Sequence, residues 1–121
     1  MTIRNILLVD DSKTELHYLS GLLTQHGYAV RTAETGDEAM RLLSEAKPDL
    51  ILMDVVMPGK NGFQLTRSIT RDPRYADVPV IMCTSKSQET DRVWGLRQGA
   101  RDYVVKPVQA EDLVSKINAL G

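Results

Sequence analysis

ILLVDDSKTE, residues 6–15, carries the signals that decide the fold. Ile6 to Val9 form a short apolar run, as a strand covered on both faces does. The run stops abruptly at two carboxylates, Asp10 and Asp11. Ser12 and Glu15 follow in the S-x-x-E spacing of a capping box, which opens a helix. Two adjacent negative charges at the end of a buried strand cost free energy, and the cost rises as water is excluded. Something must offset them.

Outward from this stretch, strand and helix patterns alternate five times. After the strand over 5–9, residues 12–26 place Leu16, Leu19, Leu22 and Leu23 on one face of a helix that stops at Gly27. Residues 28–33 read as a second strand, less apolar and so nearer an edge. Thr35 and Glu38 repeat the capping-box spacing, and Ala39, Leu42 and Leu43 face inward from the helix that follows. Residues 50–54 form the third strand, and the turn MPGKNG leads into a helix over 62–71. Residues 80–84 are the fourth strand, 88–98 the fourth helix, ended by Gly99, 103–105 the fifth strand and 110–119 the fifth helix. Strict alternation of this kind implies an α/β fold, a parallel sheet with helices on both faces. In such sheets the functional groups gather at the carboxyl ends of the strands.

The totals agree with one domain over residues 1–121. Apolar residues make up 42% and charged residues 26% of the chain, ordinary values for a soluble globular protein. Fifteen Lys and Arg against sixteen Asp and Glu give a net charge of −1, with no basic excess to attract nucleic acid. No stretch has the roughly 18 apolar residues of a membrane span, and none has the pattern of a signal peptide. A cytoplasmic protein is expected. The one cysteine, Cys83, lies in the apolar run VPVIMCTS and reads as a buried structural thiol. His17 and His26 are nine residues apart on one helix, which is not a metal-ligand spacing; His26 suits the helix C-terminus.

Each inner strand ends in a polar group. The first ends in Asp10 and Asp11, the third in Asp54, the fourth in Thr84, and the fifth in Lys106 followed by Pro107. Singly, each has a plain reading: Asp11 as the N-cap of the first helix, Thr84 as a turn residue, Lys106 as a solvated one. In parallel strands they meet at one edge of the sheet. Three carboxylates are hard oxygen ligands for a divalent cation, and Mg²⁺ suits them because it keeps waters that a phosphate can replace. Asp54, leaving a wholly apolar strand, can act as a nucleophile on phosphorus and form an acyl phosphate. Lys106 and the metal would neutralise charge on the phosphoryl group, and Thr84 could hydrogen-bond one of its oxygens.

LLVDDS, LILMDVVMPGKNG, VIMCTSK and ARDYVVKPV together resemble the receiver domain of bacterial two-component response regulators, over the whole chain. More narrowly, DDSKTEL and QETDRVWGLRQGARDYVVKPV are similar to the stand-alone receivers of type IV pilus chemotaxis-like systems. The resemblance implies a flavodoxin-like sheet in the order 2-1-3-4-5 with five helices. It implies phosphorylation of Asp54 by a histidine kinase of the CheA-like type. It implies a Mg²⁺ site served by Asp10, Asp11, Asp54 and the backbone carbonyl of Val56, and a cis bond between Lys106 and Pro107. Thr84 and Lys106 would contact the phosphoryl group, and the ring of Tyr103 would turn inward as the Thr84 hydroxyl moves. A downstream protein would then read the face made by the fourth helix, fifth strand and fifth helix, where Leu96, Tyr103 and Val108 are the apolar candidates. Trp94 lies on the fourth helix, where helical spacing leaves open whether it packs inside or faces a partner. Val56 and Lys86 would flank the path of the water that hydrolyses the phosphoryl group. With no residues left for an output domain, the expectation is a protein that acts by binding a partner or by draining phosphoryl groups from a shared kinase.

Three other readings compete. A phosphohydrolase of the haloacid-dehalogenase kind needs a second Asp two residues after its nucleophile, where this chain has Val56. A flavodoxin-like cofactor binder needs a phosphate loop after the first strand, where DDSKTE would repel a phosphate unless a metal is bound. A degenerate receiver would lack one of the residues named above, and all are present.

Overall fold

The computed structural model describes residues 3–55, 62–84, 93 and 96–120. Five parallel strands, β1 (Asn5–Val9), β2 (Ala29–Ala33), β3 (Leu50–Asp54), β4 (Val80–Thr84) and β5 (Asp102–Val105), form one sheet in the order β2-β1-β3-β4-β5. Among the described residues four helices are delimited: α1 (Lys13–Gln25), α2 (Gly36–Glu45), α3 (Gly62–Arg71) and α4 (Ala110–Leu120). The helix expected over 88–98 falls largely outside the described residues, and so does Trp94; Val93, Leu96 and Arg97 are helical. The helix expected fifth is therefore α4.

Side-chain alternation on the strands builds two cores. Leu7, Val9, Ile51, Met53, Val80 and Met82 meet Ala39 and Leu43 of α2 and Leu65 and Ile69 of α3. Ile6, Leu8, Leu50, Leu52, Ile81 and Cys83 meet Leu16, Leu19 and Leu23 of α1 and Leu113 and Ile117 of α4. The central strands β3 and β4 are buried along their whole length, whereas β2 at the edge is buried only at Ala33. Burial pushes the Cys83 thiol up to about 12, so it stays protonated and inert.

Helix entry follows the capping residues. Ser12 Oγ accepts from the Glu15 N–H at 3.3 Å, and Thr35 Oγ1 accepts from the Glu38 N–H at 3.1 Å. Only half of the first capping box forms. The Ser12 N–H, which Glu15 would accept in a full box, donates instead to Asp10 Oδ1. The Glu15 carboxylate oxygen Oε2 is left buried without a partner among the described residues. At the far end of α2, Arg31 donates to the carbonyls of Leu42 and Ala46 and closes the helix.

One expected surface residue is inside. Val108, offered above as part of a readout face, is 1% exposed and packs in the core under α1 and α4. The segment from β5 to α4 lies against α1, where the Tyr18 hydroxyl donates to the Val108 carbonyl at 2.7 Å. Leu96 is exposed as expected, and Tyr103 is half-buried.

Candidate functional site

Four strands deliver their last residues to one edge. The ladder continues one residue past the strands: Asp10 N–H donates to the Ala33 carbonyl, Val55 N–H to that of Cys83, and Lys106 N–H to that of Thr84. These bonds fix the backbone on either side of the polar groups, so the side chains converge. Asp10, Asp11 and Asp54 each offer a carboxylate oxygen within 4.8 Å of the others. Asp10 and Asp54 are buried and Asp11 is exposed, so the cluster has a floor and an open mouth.

The ammonium of Lys106 bridges the two buried acids, 2.9 Å from Asp10 Oδ2 and 3.0 Å from Asp54 Oδ1. It offsets the buried member of the acidic pair at the end of β1, Asp10. One cation against three carboxylates leaves a deficit of positive charge, and burial pushes the Asp54 carboxyl above its usual range. The Lys106 hydrogen bond opposes that rise, while the charges of Asp10 and Asp11 add to it. Burial alone would lower the Lys106 pKa, but its bonds to Asp10 and Asp54 outweigh this and raise it, so it is fully charged at neutral pH. Three hard oxygens with excess negative charge fit a divalent cation that keeps part of its water shell. The Lys106–Pro107 bond that follows is cis, as expected.

Thr84 is buried at the end of β4. Tyr103 lies one strand over, paired in register with Met82, and packs against the core on the α2–α3 side. Val56 and Lys86 lie outside the described residues. Sequence reasoning passed over one residue of this edge, Gly62. Its N–H donates to the Val55 carbonyl at 2.9 Å, and a Cβ there would sit 1.9 Å from the carbonyl oxygen of Asp54. The turn MPGKNG contained the signal, since it ends in the glycine that opens α3.

The chain belongs to the response regulator receiver domain family, whose model it matches over residues 6–118. Receivers are phosphoacceptor signalling domains rather than enzymes in the ordinary sense, and they bind Mg²⁺ through acidic residues. Membership implies a histidine kinase as phosphodonor and a partner downstream. Among relatives, the chain is 54% identical to the protein PilH of Pseudomonas aeruginosa over 115 residues, 95% of each chain. It is 39% identical over 117 residues to the phosphate regulon transcriptional regulatory protein PhoB of Escherichia coli, covering 97% of this chain and 51% of that one. Among solved structures, the chemotaxis protein CheY4 of Vibrio cholerae superimposes with a TM-score of 0.92 at 30% identity, over 99% of this chain and 100% of that one. No helix of the described residues is long and apolar enough to cross a membrane.

Proposed function

We propose that the protein is a stand-alone, cytoplasmic response regulator that accepts a phosphoryl group on Asp54 from the phosphohistidine of a CheA-like kinase, in pilus-based motility or chemotaxis-like signalling. The pilus assignment rests on the likeness to PilH along nearly the whole of both chains. The phosphoacceptor assignment rests on one observation above all: Lys106 bonds the carboxylates of Asp10 and Asp54 at once. That arrangement holds a nucleophile, a cation for the incoming phosphoryl oxygens and an acidic cluster within a few ångströms.

An oxygen of the Asp54 carboxylate attacks phosphorus while the bond to the histidine nitrogen breaks, its electron pair leaving with the imidazole. Asp10, Asp11, Asp54 and the Val56 carbonyl would hold Mg²⁺, which supplies charge neutralisation for the phosphoryl oxygens. Lys106 swings its ammonium from the free carboxylate to the phosphoryl group, which carries about −1.5 to −2 charges. Thr84 donates its hydroxyl to a phosphoryl oxygen, Tyr103 turns inward, and the face around Leu96 and Tyr103 changes for its partner.

The test is incubation with acetyl phosphate and Mg²⁺, read by intact mass. Wild type gains one phosphoryl group and Asp54→Asn gains none. Equal modification of both would place the acceptor elsewhere. Phosphotransfer from a panel of histidine kinases tests the pilus assignment; preference for a kinase outside chemotaxis-like systems would overturn it.

A further inference from the structure

From α4, Lys116 presents a cation to the ring of Tyr103. The Lys116 ammonium lies 4.8 Å from the centroid of the Tyr103 ring. It also donates to the Tyr103 carbonyl at 2.5 Å, and lies 3.9 Å from Asp102 Oδ1 and 3.6 Å from Asp112 Oδ1. The Lys116 side chain is 24% exposed, so these contacts are made in partial shelter from water. Its ammonium is therefore held by a carbonyl, two carboxylates and the face of one aromatic ring.

Three of these four contacts do not depend on where the ring points. The carbonyl is backbone, fixed by the pairing of β5 with β4. Asp102 is anchored by its bond to the Tyr103 N–H at 2.8 Å, and Asp112 is on the same helix as Lys116. The fourth contact exists only in the ring position seen here, because a change of rotamer carries the ring away from a cation that stays in place. A contact present in one conformer and absent in the other shifts the balance between them.

We propose that Lys116 is a positioning residue that holds the Tyr103 ring in the half-buried orientation seen here, beside α4, which we assign to the unphosphorylated protein, and so sets how readily the switch is thrown. The proposal rests on the reading of Tyr103 as the ring that moves. An exposed or half-exposed cation–ring contact of this geometry corresponds to a population shift of about 2–5-fold. The backbone bond gives Lys116 its aim, and the ring contact gives it its bias.

The test is fluorine NMR of protein carrying 3-fluorotyrosine, with the Tyr103 signal assigned by Tyr103→Phe among the four tyrosines. Wild type, Lys116→Met, Lys116→Gln and Lys116→Arg are compared before and after phosphorylation with acetyl phosphate and Mg²⁺. Lys116→Gln keeps a donor for the Tyr103 carbonyl and removes the charge, which separates the ring contact from the backbone bond. The expected result is a Tyr103 signal in unphosphorylated Lys116→Met and Lys116→Gln displaced toward its phosphorylated position. Phosphorylation by acetyl phosphate should be about 2–5-fold faster in both, with Lys116→Arg close to wild type. A residue of merely structural weight would lower the urea midpoint and leave the Tyr103 signal where it was; that result overturns the proposal. A wild-type Tyr103 signal that does not move on phosphorylation overturns the reading of Tyr103, and the proposal with it. A wild-type signal that moves while Lys116→Met and Lys116→Gln start from the wild-type position overturns the proposal alone.

Discussion

Gly62 lies against the carbonyl of Asp54 so closely that a Cβ on it would stand 1.9 Å from the oxygen and 2.9 Å from the Val55 Cα. Both atoms that would have to give way are backbone, held in β3 and in the ladder to β4. The first turn of α3 is thereby seated on the residue proposed as the phosphoacceptor.

Gly62→Ala should therefore cost about 3 kcal/mol or more, the upper end of overpacking penalties, since neither backbone can move cheaply. It should also slow phosphorylation of Asp54 by displacing the end of β3. Urea unfolding and the rate of mass gain with acetyl phosphate check both. A variant with wild-type midpoint would mean that α3 shifts freely on the sheet.

Asp54→Asn should stabilise the metal-free protein at neutral pH by about 1 kcal/mol, because it removes one of three crowded carboxylates and leaves Lys106 paired with Asp10. The sign follows from the direction of the shift. A carboxyl whose folded pKa is raised favours the fold while protonated, below its unfolded value, and that contribution is lost as pH rises through the folded pKa. The gain from Asn should thus be largest near pH 7 and vanish toward pH 4. Unfolding curves in chelator across that range decide it; a gain that grows on acidification would contradict the raised pKa.

Lys106→Met should destabilise the metal-free protein by about 2 kcal/mol, since it leaves two buried acids facing each other. The same variant should bind Mg²⁺ several-fold more tightly, because the ammonium no longer competes for Asp10 and Asp54. Calorimetric titration tests the second point. The Lys106 contribution in wild type is fully present below its unfolded pKa, near 10.4, and is lost only as pH rises through the higher folded value. Stability that falls between pH 7 and 9 would not come from this residue.

Asp11→Ala should weaken Mg²⁺ binding by about tenfold and Thr84→Ala by little. Asp11 is the exposed acid of the cluster, so its loss should leave the fold intact. Thr84 is expected to meet only the phosphoryl group. Equal affinities in the two variants would remove Asp11 from the metal site.

Val56 and Lys86 lack the groups that could orient or deprotonate a hydrolytic water. The double variant Val56→Asn, Lys86→Glu should shorten the lifetime of phospho-Asp54 by roughly tenfold, or about 1.4 kcal/mol of barrier. Decay of radiolabelled protein after removal of the donor measures it. An unchanged lifetime would show that these positions do not control the attacking water.

The sequence by itself determined the α/β class, the capping residues Ser12 of α1 and Thr35 of α2, and which strand ends carry Asp10, Asp54, Thr84 and Lys106. Those signals are local: apolar runs, side-chain period and residue identity within a few positions. The tertiary structure alone decided what meets across the chain. Lys106 and Asp10 are 96 residues apart, and nothing near either one specifies that the ammonium bridges Asp10 to Asp54. Asp49 shows the same limit: an acid before β3 accepts the backbone N–H groups of Arg4 and Asn5, which hold its pKa down, and no pattern around Pro48 announces it. Val108 was misread as surface because its burial depends on α1 lying over the segment after β5. Gly62 reads as a turn glycine until Asp54 is seen beneath it. Periodicity reports which face of an element is buried, but the partner on the other side is chosen by the order in which parallel strands stack, and that order is a property of the whole chain.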